Sequence, residues 1–318
     1  MNNLKEAAEI IINDCMSVKD DETTLVIVDK PLRKIGQAIF AAAKEAANEA
    51  VLTEIAPRAN HGAEPPASIA NLMQEFDVVI MPTSKSLSHT KARKAANDAG
   101  ARAATLPDIT EEIMIRTLTA DYEAIKERSE KVAEILDEGK KAHLITEAGT
   151  DLKMSLVERS GHPDTGIYHQ AGNFGNLPAG EAYIAPLEET AEGKVVIDGA
   201  MSGLGVLEEP VTLIVEDGYV VDIQGGKEAA ELTELVDQYG KEARNIAELG
   251  IGTNDQAILT GNVLEDEKVM STVHVAIGDN SAFGGKIEIE SHLDGIINQP
   301  TLKVDDRVIM KEGEFKIL

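Results

Sequence analysis

Five side chains in the second half of the chain have the types needed to work together on a metal ion. Glu181 ends a glycine-rich stretch that begins at Asn173, and Glu248 stands among apolar and glycine neighbours from Ile246 to Gly252. His274 opens the apolar run His274–Ile277, and His292 precedes Asp294 by two residues. Residues two apart in a strand face the same side, so His292 and Asp294 would point together. Neutral imidazole with carboxylates is the donor set expected for Zn²⁺, Mn²⁺, Co²⁺ or Fe²⁺. Glycines beside these donors let the backbone approach without side-chain interference. Glu248 is the most telling of the five, because an unpaired carboxylate in an apolar stretch is costly.

The elements that must position these donors fall into two patterns. Leu4, Ala7, Ala8, Ile11, Ile12 and Cys15 recur at helical spacing, which makes Cys15 a core residue rather than a reactive thiol. Strand-length apolar runs follow at 24–28, 49–53, 76–81 and 103–106, with helices predicted over 38–50 and 88–97. Continuous apolar strands alternating with helices predict a mostly parallel sheet covered on both faces. No glycine-rich phosphate loop follows the first strand, where Asp29-Lys30-Pro31-Leu32-Arg33 stands instead. Asp108 with Glu111 reads as a capping box, and Thr119 to Gly139 as a long helix with Tyr122, Ile125, Val132, Ile135 and Leu136 on one side. Beyond it, strands are predicted at 143–146, 152–157, 194–197, 211–215, 220–223, 273–277, 287–290, 302–305 and 307–310, with one helix at 227–239. Asp217-Gly218 predicts a type I′ hairpin. The expected fold class is α/β: an N-terminal α/β domain (1–145) with a mostly parallel sheet, then a β-rich α+β metal-binding, catalytic domain (146–318).

Charge narrows the partners. The 318 residues carry a formal charge of −26, divided as −6 over residues 1–145 and −20 over 146–318. Phosphate binding depends on Lys and Arg, so nucleic acid is disfavoured, as is an anionic membrane. No apolar run reaches the ~18 residues of a membrane span. The N-terminus lacks a basic-then-apolar signal layout, and the single cysteine, Cys15, excludes an internal disulfide. A cytoplasmic location is expected.

At the five donors the sequence resembles the M29 metallopeptidases, the aminopeptidase T/aminopeptidase S family. The shared landmarks are Asn176-Leu177-Pro178-Ala179-Gly180-Glu181, Ala247-Glu248-Leu249-Gly250, His274–Gly278 and His292-Leu293-Asp294, in matching order. The six-residue motif is the most specific, and Ser86–Arg93 also looks like a family segment. The resemblance implies a metal-dependent aminopeptidase with two divalent ions (Zn, Co, Mn or Mg) held by Glu181, Glu248, His274, His292 and Asp294. It further implies a water nucleophile, Glu181 or Glu248 as general base, a peptide or small-molecule substrate, and a homodimer. The family's tyrosine shortly after the first histidine has no counterpart in Asp279–Phe283.

That departure favours an alternative. His274, His292 and Asp294 alone make the 2-His-1-carboxylate set of non-haem Fe(II) oxygenases. The peptidase-like fold is also similar to that of 2,5-dihydroxypyridine dioxygenases, which use one iron in a similar place. Both glutamates favour the hydrolase, and a metal-binding protein without turnover is a third reading. His169, and His89 with Arg93, are secondary candidates for substrate contact.

Overall fold

A computed structural model describes residues 3–318. They form two compact units, one of residues to Glu123 with Gly166–Ala179 and one of Ala124–Thr165 with Gly180–Leu318. The contacts therefore divide the chain at three points.

The first unit is built on five parallel strands in the spatial order Glu49–Ile55, Thr23–Asp29, Val78–Met81, Arg102–Thr105 and Phe174–Asn176. Consecutive residues Leu25 to Val28 and Val78 to Met81 are all buried, as a sheet covered on both faces requires. The last strand lies in sequence that reads as loop, and its three residues pair with Ala103–Thr105. Helix Glu111–Thr117 is capped by Thr110, whose Oγ1 accepts from the Ile113 amide at 3.1 Å. Asp108 does not cap it and lies outside the helix at φ 53°. Helix Lys91–Asp98 likewise starts later than expected, behind the cap of Thr90. Cys15 is buried in the core, as its spacing implied.

The second unit contains two antiparallel sheets. One runs in the order Tyr219–Gln224, Val211–Glu216, Glu192–Ile197, Asp151–Ser155, Lys141–Ile145, Thr301–Val304, Arg307–Lys311 and Glu314–Phe315. The other runs Gly205–Val206, Ala200–Met201, His292–Ile297, Val273–Gly278, Ile246–Gly252, Glu181–Ile184 and His162–Asp164. They share one apolar core, with Leu144, Leu152, Val195 and Leu213 from the first sheet and Leu249, Ile251, Val275 and Ile277 from the second. Val132, Ile135 and Leu136 of the helix Tyr122–Glu138 and Leu232 and Val236 of Lys227–Asp237 complete it. Asp217 (φ 49°) and Gly218 (φ 79°) form the expected hairpin turn.

The strand expected at 287–290 is absent. The amides of Ile287 and Ile289 donate to Asn280 Oδ1 and Asp279 Oδ2, each at 2.9 Å, so side chains take the place of a neighbouring strand. Among the described residues no helix is long and apolar enough to cross a membrane.

Candidate metal centre

The seven-stranded sheet turns Ala182, Leu249, Ile251, Val275 and Ile277 into the core. Alternation therefore sends their neighbours to the opposite face, and four adjacent strands deliver all five donors there. Register sets Glu181 opposite Gly252, His274 opposite Gly250, Glu248 and Asp294 opposite Ala276, and His292 opposite Gly278. Each donor thus has, on one neighbouring strand, a residue too small to crowd it, while His274 also stands opposite Ile296 and Glu181 opposite Asp164. A register shift between Ile246 and Glu248 lets Ile246 join the core while Glu248 faces the centre. A bulge re-aims a side chain in this way.

The geometry is compact. His274 Nε2 lies 3.2 Å from Glu181 Oε2 and 3.3 Å from Glu248 Oε1. His292 Nε2 lies 3.3 Å from Glu248 Oε2 and 3.3 Å from Asp294 Oδ1. Glu248 therefore stands between the two imidazoles, one oxygen to each. Two trios result, Glu181–Glu248–His274 and Glu248–His292–Asp294, each with its donor atoms within 4.8 Å of one another. His274 is fully buried, and Glu181, Glu248 and Asp294 are nearly so.

Outer contacts aim the donors. His292 Nδ1 donates to the Asp279 carbonyl at 2.8 Å, which leaves the Nε2 lone pair for the centre. The Asp294 amide donates to Ser202 Oγ at 3.0 Å, and that hydroxyl donates to Asp294 Oδ2 at 3.3 Å.

A divalent cation fits these residues. Glu181 Oε2 is buried and faces His274 Nε2 at 3.2 Å without a well-aligned hydrogen bond, although buried carboxylate oxygens are normally satisfied. Burial opposes charge on His274, yet the Glu181 and Glu248 carboxylates against its Nε2 hold its pKa well above the imidazole range. Burial opposes charge on His292 too, and is outweighed by Asp294 and Glu248. Asp294 is held below the usual carboxylate range, its burial overcome by His292. Protons thus do on the imidazoles what a cation would do among the carboxylates.

Four residues of this centre, Lys268, Tyr183, Phe283 and Ser202, escape sequence reasoning. Lys268 belongs to the charged run Glu265–Lys268, which reads as a solvated block, yet Glu265, Asp266 and Lys268 are all buried. Lys268 Nζ lies 3.3 Å from Glu181 Oε1 and also pairs with Glu267. Tyr183, two residues after Glu181, shares its face; burial and then Glu248 and Glu181 raise its phenol pKa. Tyr183 stacks on His162 at 5.4 Å and meets Phe283 edge-on at 5.4 Å, and Phe283 meets the His292 ring at 6.0 Å. Ser202 is the fourth. Period-two counting from Glu181 finds Tyr183, whereas no local signal marks Lys268.

His143 and the secondary candidates for substrate contact stand in other surroundings. His143 pairs with Asp151 at 2.7 Å on the eight-stranded sheet. In the first unit, His169 Nε2 donates to the Asp14 carbonyl at 2.7 Å. Arg93 donates to the Ser88 carbonyl and lies 3.9 Å over the Phe174 ring. His89 is exposed.

A parallel α/β unit joined in sequence to an antiparallel β unit that carries a buried cluster of imidazoles and carboxylates is a fold shared by two kinds of enzyme. The family model described as NicX: 2,5-dihydroxypyridine 5,6-dioxygenase matches residues 4–317, and the chain belongs to that family. A 2,5-dihydroxypyridine 5,6-dioxygenase of Pseudomonas putida (strain KT2440) is 24% identical over 216 residues, 64% of this chain and 61% of the relative. Aminopeptidase AmpS of Bacillus subtilis (strain 168) is 30% identical over 148 residues, 43% of this chain and 35% of the relative. The matches thus span less than two thirds of either curated relative. The solved structure of 2,5-dihydroxypyridine dioxygenase from Pseudomonas putida KT2440 superposes with a TM-score of 0.85 at 20% identity, covering 98% of this chain and 96% of that one. Wild-type AmpT from Thermus thermophilus gives 0.75 at 16% identity, covering 99% of each chain. The likeness to the metallopeptidases stands at the level of the fold, while the family is that of the dioxygenase.

Proposed function

We propose that the protein is a mononuclear non-haem Fe(II) dioxygenase that opens a dihydroxylated heteroaromatic ring, with His274, His292 and Asp294 as its facial set. The observation that carries this reading is the convergence of both imidazoles on Glu248 with Asp294 on the same face, in a chain of the dioxygenase family. Bound iron would supply dioxygen activation at positions the three protein donors leave open.

The chain's own residues do the rest. The Asp279 carbonyl fixes His292, Ser202 fixes Asp294, and the glycine at 250 gives His274 its place. Glu181 is kept ionised against its burial by Lys268 and His274, which leaves a carboxylate in the first trio to take a proton from a ring hydroxyl. Glu248 is the second such base. Phe283, Tyr183 and His162 form an aromatic wall beside the donors, and a flat ring gains edge and face contacts there that a peptide backbone does not. Ring opening places both atoms of O₂ in the product as a ring carbon–carbon bond breaks.

One observation favours hydrolysis instead: Glu248 belongs to both trios, as a carboxylate bridging two ions would. Oxygen uptake separates the two. Protein loaded anaerobically with Fe(II) and given 2,5-dihydroxypyridine should consume one O₂ per ring lost. Release of an amino acid from an unblocked dipeptide without oxygen uptake would overturn the proposal.

A further inference from the structure

The ring of donors is large enough in number for two ions, so something must decide how many it takes. Lys268 is fully buried, and its ammonium touches Glu181 Oε1 at 3.3 Å and Glu267. Glu181 belongs to one of the two donor trios and not to the other. The ammonium therefore sits one carboxylate away from the place an ion of that trio would occupy, in contact with a donor that the other trio lacks.

The backbone holds it there. The Lys268 amide donates to the Glu265 carbonyl at 3.0 Å, and the Lys268 carbonyl accepts from the Asn254 amide at 3.0 Å. Gly252, the register partner of Glu181, lets this segment lie directly on the strand: a Cβ at 252 would come within 2.1 Å of the Val269 carbonyl oxygen and 2.8 Å of the Lys268 carbonyl carbon. Glu181, Gly252 and the Lys268 backbone are thus stacked on one another, and the buried ammonium is held between Glu181 and Glu267.

We propose that Lys268 is the residue that sets the ion count at one: its fixed positive charge stands in for the second cation on Glu181 and repels a divalent ion from the Glu181–Glu248–His274 trio. A monovalent charge satisfies one oxygen of Glu181, while a divalent neighbour so close in a low-dielectric site is strongly disfavoured. The inference rests on the one-iron reading above, and it also names the feature that makes a two-trio centre behave as a one-ion centre.

The test counts ions without substrate or oxygen. The full chain is stripped by chelation, titrated with Mn²⁺, and read by elemental analysis and electron paramagnetic resonance, in which isolated and spin-coupled Mn²⁺ differ. Wild type should retain one uncoupled ion per chain. Lys268→Met should take up two coupled ions, the second binding at least about tenfold more tightly than in wild type. Lys268→Arg should stay at one. Because Lys268→Met takes the partner from both Glu181 and Glu267, the double variant Lys268→Met/Glu267→Gln removes the ammonium together with the carboxyl group beside it and should also bind two. Two coupled ions in wild type overturn the inference, as does a folded double variant that stays at one. Failure of ring cleavage with one bound ion would instead sink the dioxygenase reading and leave the ion count standing.

Discussion

The His274 imidazole lies across the backbone of Gly250, so close that a Cβ at position 250 would come within 1.9 Å of His274 Nε2. The two are register partners on neighbouring strands, and Nε2 is the atom that faces Glu181 and Glu248. Gly250→Ala should therefore displace the donor rather than the fold, because Leu249 and Ile251 keep their places in the core. Ion affinity is expected to fall at least about tenfold, the lower bound for disturbing a ligand's support. Stability should change by no more than about 1–3 kcal/mol, the usual cost of overpacking. Metal titration and thermal melting of the same sample check both halves; wild-type affinity in the variant would refute the steric account.

How much of this centre was legible follows from which contacts are local. His292 and Asp294 share a face by the period of a strand, and the apolar setting of Glu248 marks it as a carboxylate with a purpose. Pairing between strands is not local. Which small residue stands opposite each donor depends on register across Glu181–Ile184, Ile246–Gly252, Val273–Gly278 and His292–Ile297, and the shift after Ile246 leaves no sequence mark. Phe174–Asn176 is too short for a hydropathy period, and only pairing with Ala103–Thr105 makes it a strand. Lys268 meets Glu181 from 87 positions away, so a buried ammonium looks in sequence like any other lysine in a charged run. The parallel sheet, by contrast, was plain from its continuous apolar strands.

Chelation should abolish oxygen uptake, and Fe²⁺ should restore it where Zn²⁺, which has no redox chemistry, does not. His274→Ala should lower ion occupancy while circular dichroism stays near wild type, since the first unit's sheet contains none of the donors. Full turnover after exhaustive chelation would contradict the metal centre altogether.

Ser202 is expected to matter without touching substrate. Ser202→Ala removes both the acceptor for the Asp294 amide and the donor to Asp294 Oδ2. Loss of an outer contact of this kind costs about 10- to 100-fold in metal affinity or activity. Ser202→Thr keeps the hydroxyl and should recover most of it. Equal ion affinity in wild type and Ser202→Ala would show that Asp294 is aimed by the strand alone.

Asp266 belongs to neither donor trio and gives a pH signature of its own. Burial raises its pKa to about 6, against the hydrogen bonds it accepts from the Thr260 and Gly261 amides at 2.7 and 3.2 Å. The folded chain thus binds a proton that the unfolded chain, with a carboxyl near 3.8, has already released. Stability from this group is full below the unfolded value and is lost as pH rises through about 6. Asp266→Asn keeps an acceptor for the two amides without the charge. In ion-free protein it should be more stable than wild type by about 1–2 kcal/mol at pH ~8, with no gain at pH ~4. Denaturant melts at both values decide it, and a gain that is the same at both would exclude titration as its cause.

Phe283 tests the aromatic wall, and with it the class of substrate. Its ring meets Tyr183 and His292 edge-on, and it is only half-buried, so one side remains for a flat ligand. An aromatic pair is worth about 0.5–1.5 kcal/mol beyond area burial. At ~1.36 kcal/mol per decade, Phe283→Ala should raise KM for a dihydroxylated pyridine about 2- to 10-fold. The donors are unchanged, so kcat and the ion count should stay near wild type. Phe283→Tyr keeps the ring and should keep KM, while placing a hydroxyl in the stretch where the metallopeptidases carry a tyrosine. Steady-state oxygen uptake over a range of substrate concentrations separates KM from kcat. An unchanged KM in Phe283→Ala would mean that the ring is bound elsewhere, whereas a fall in kcat with lost ion would mean that Phe283 supports His292 instead of the substrate.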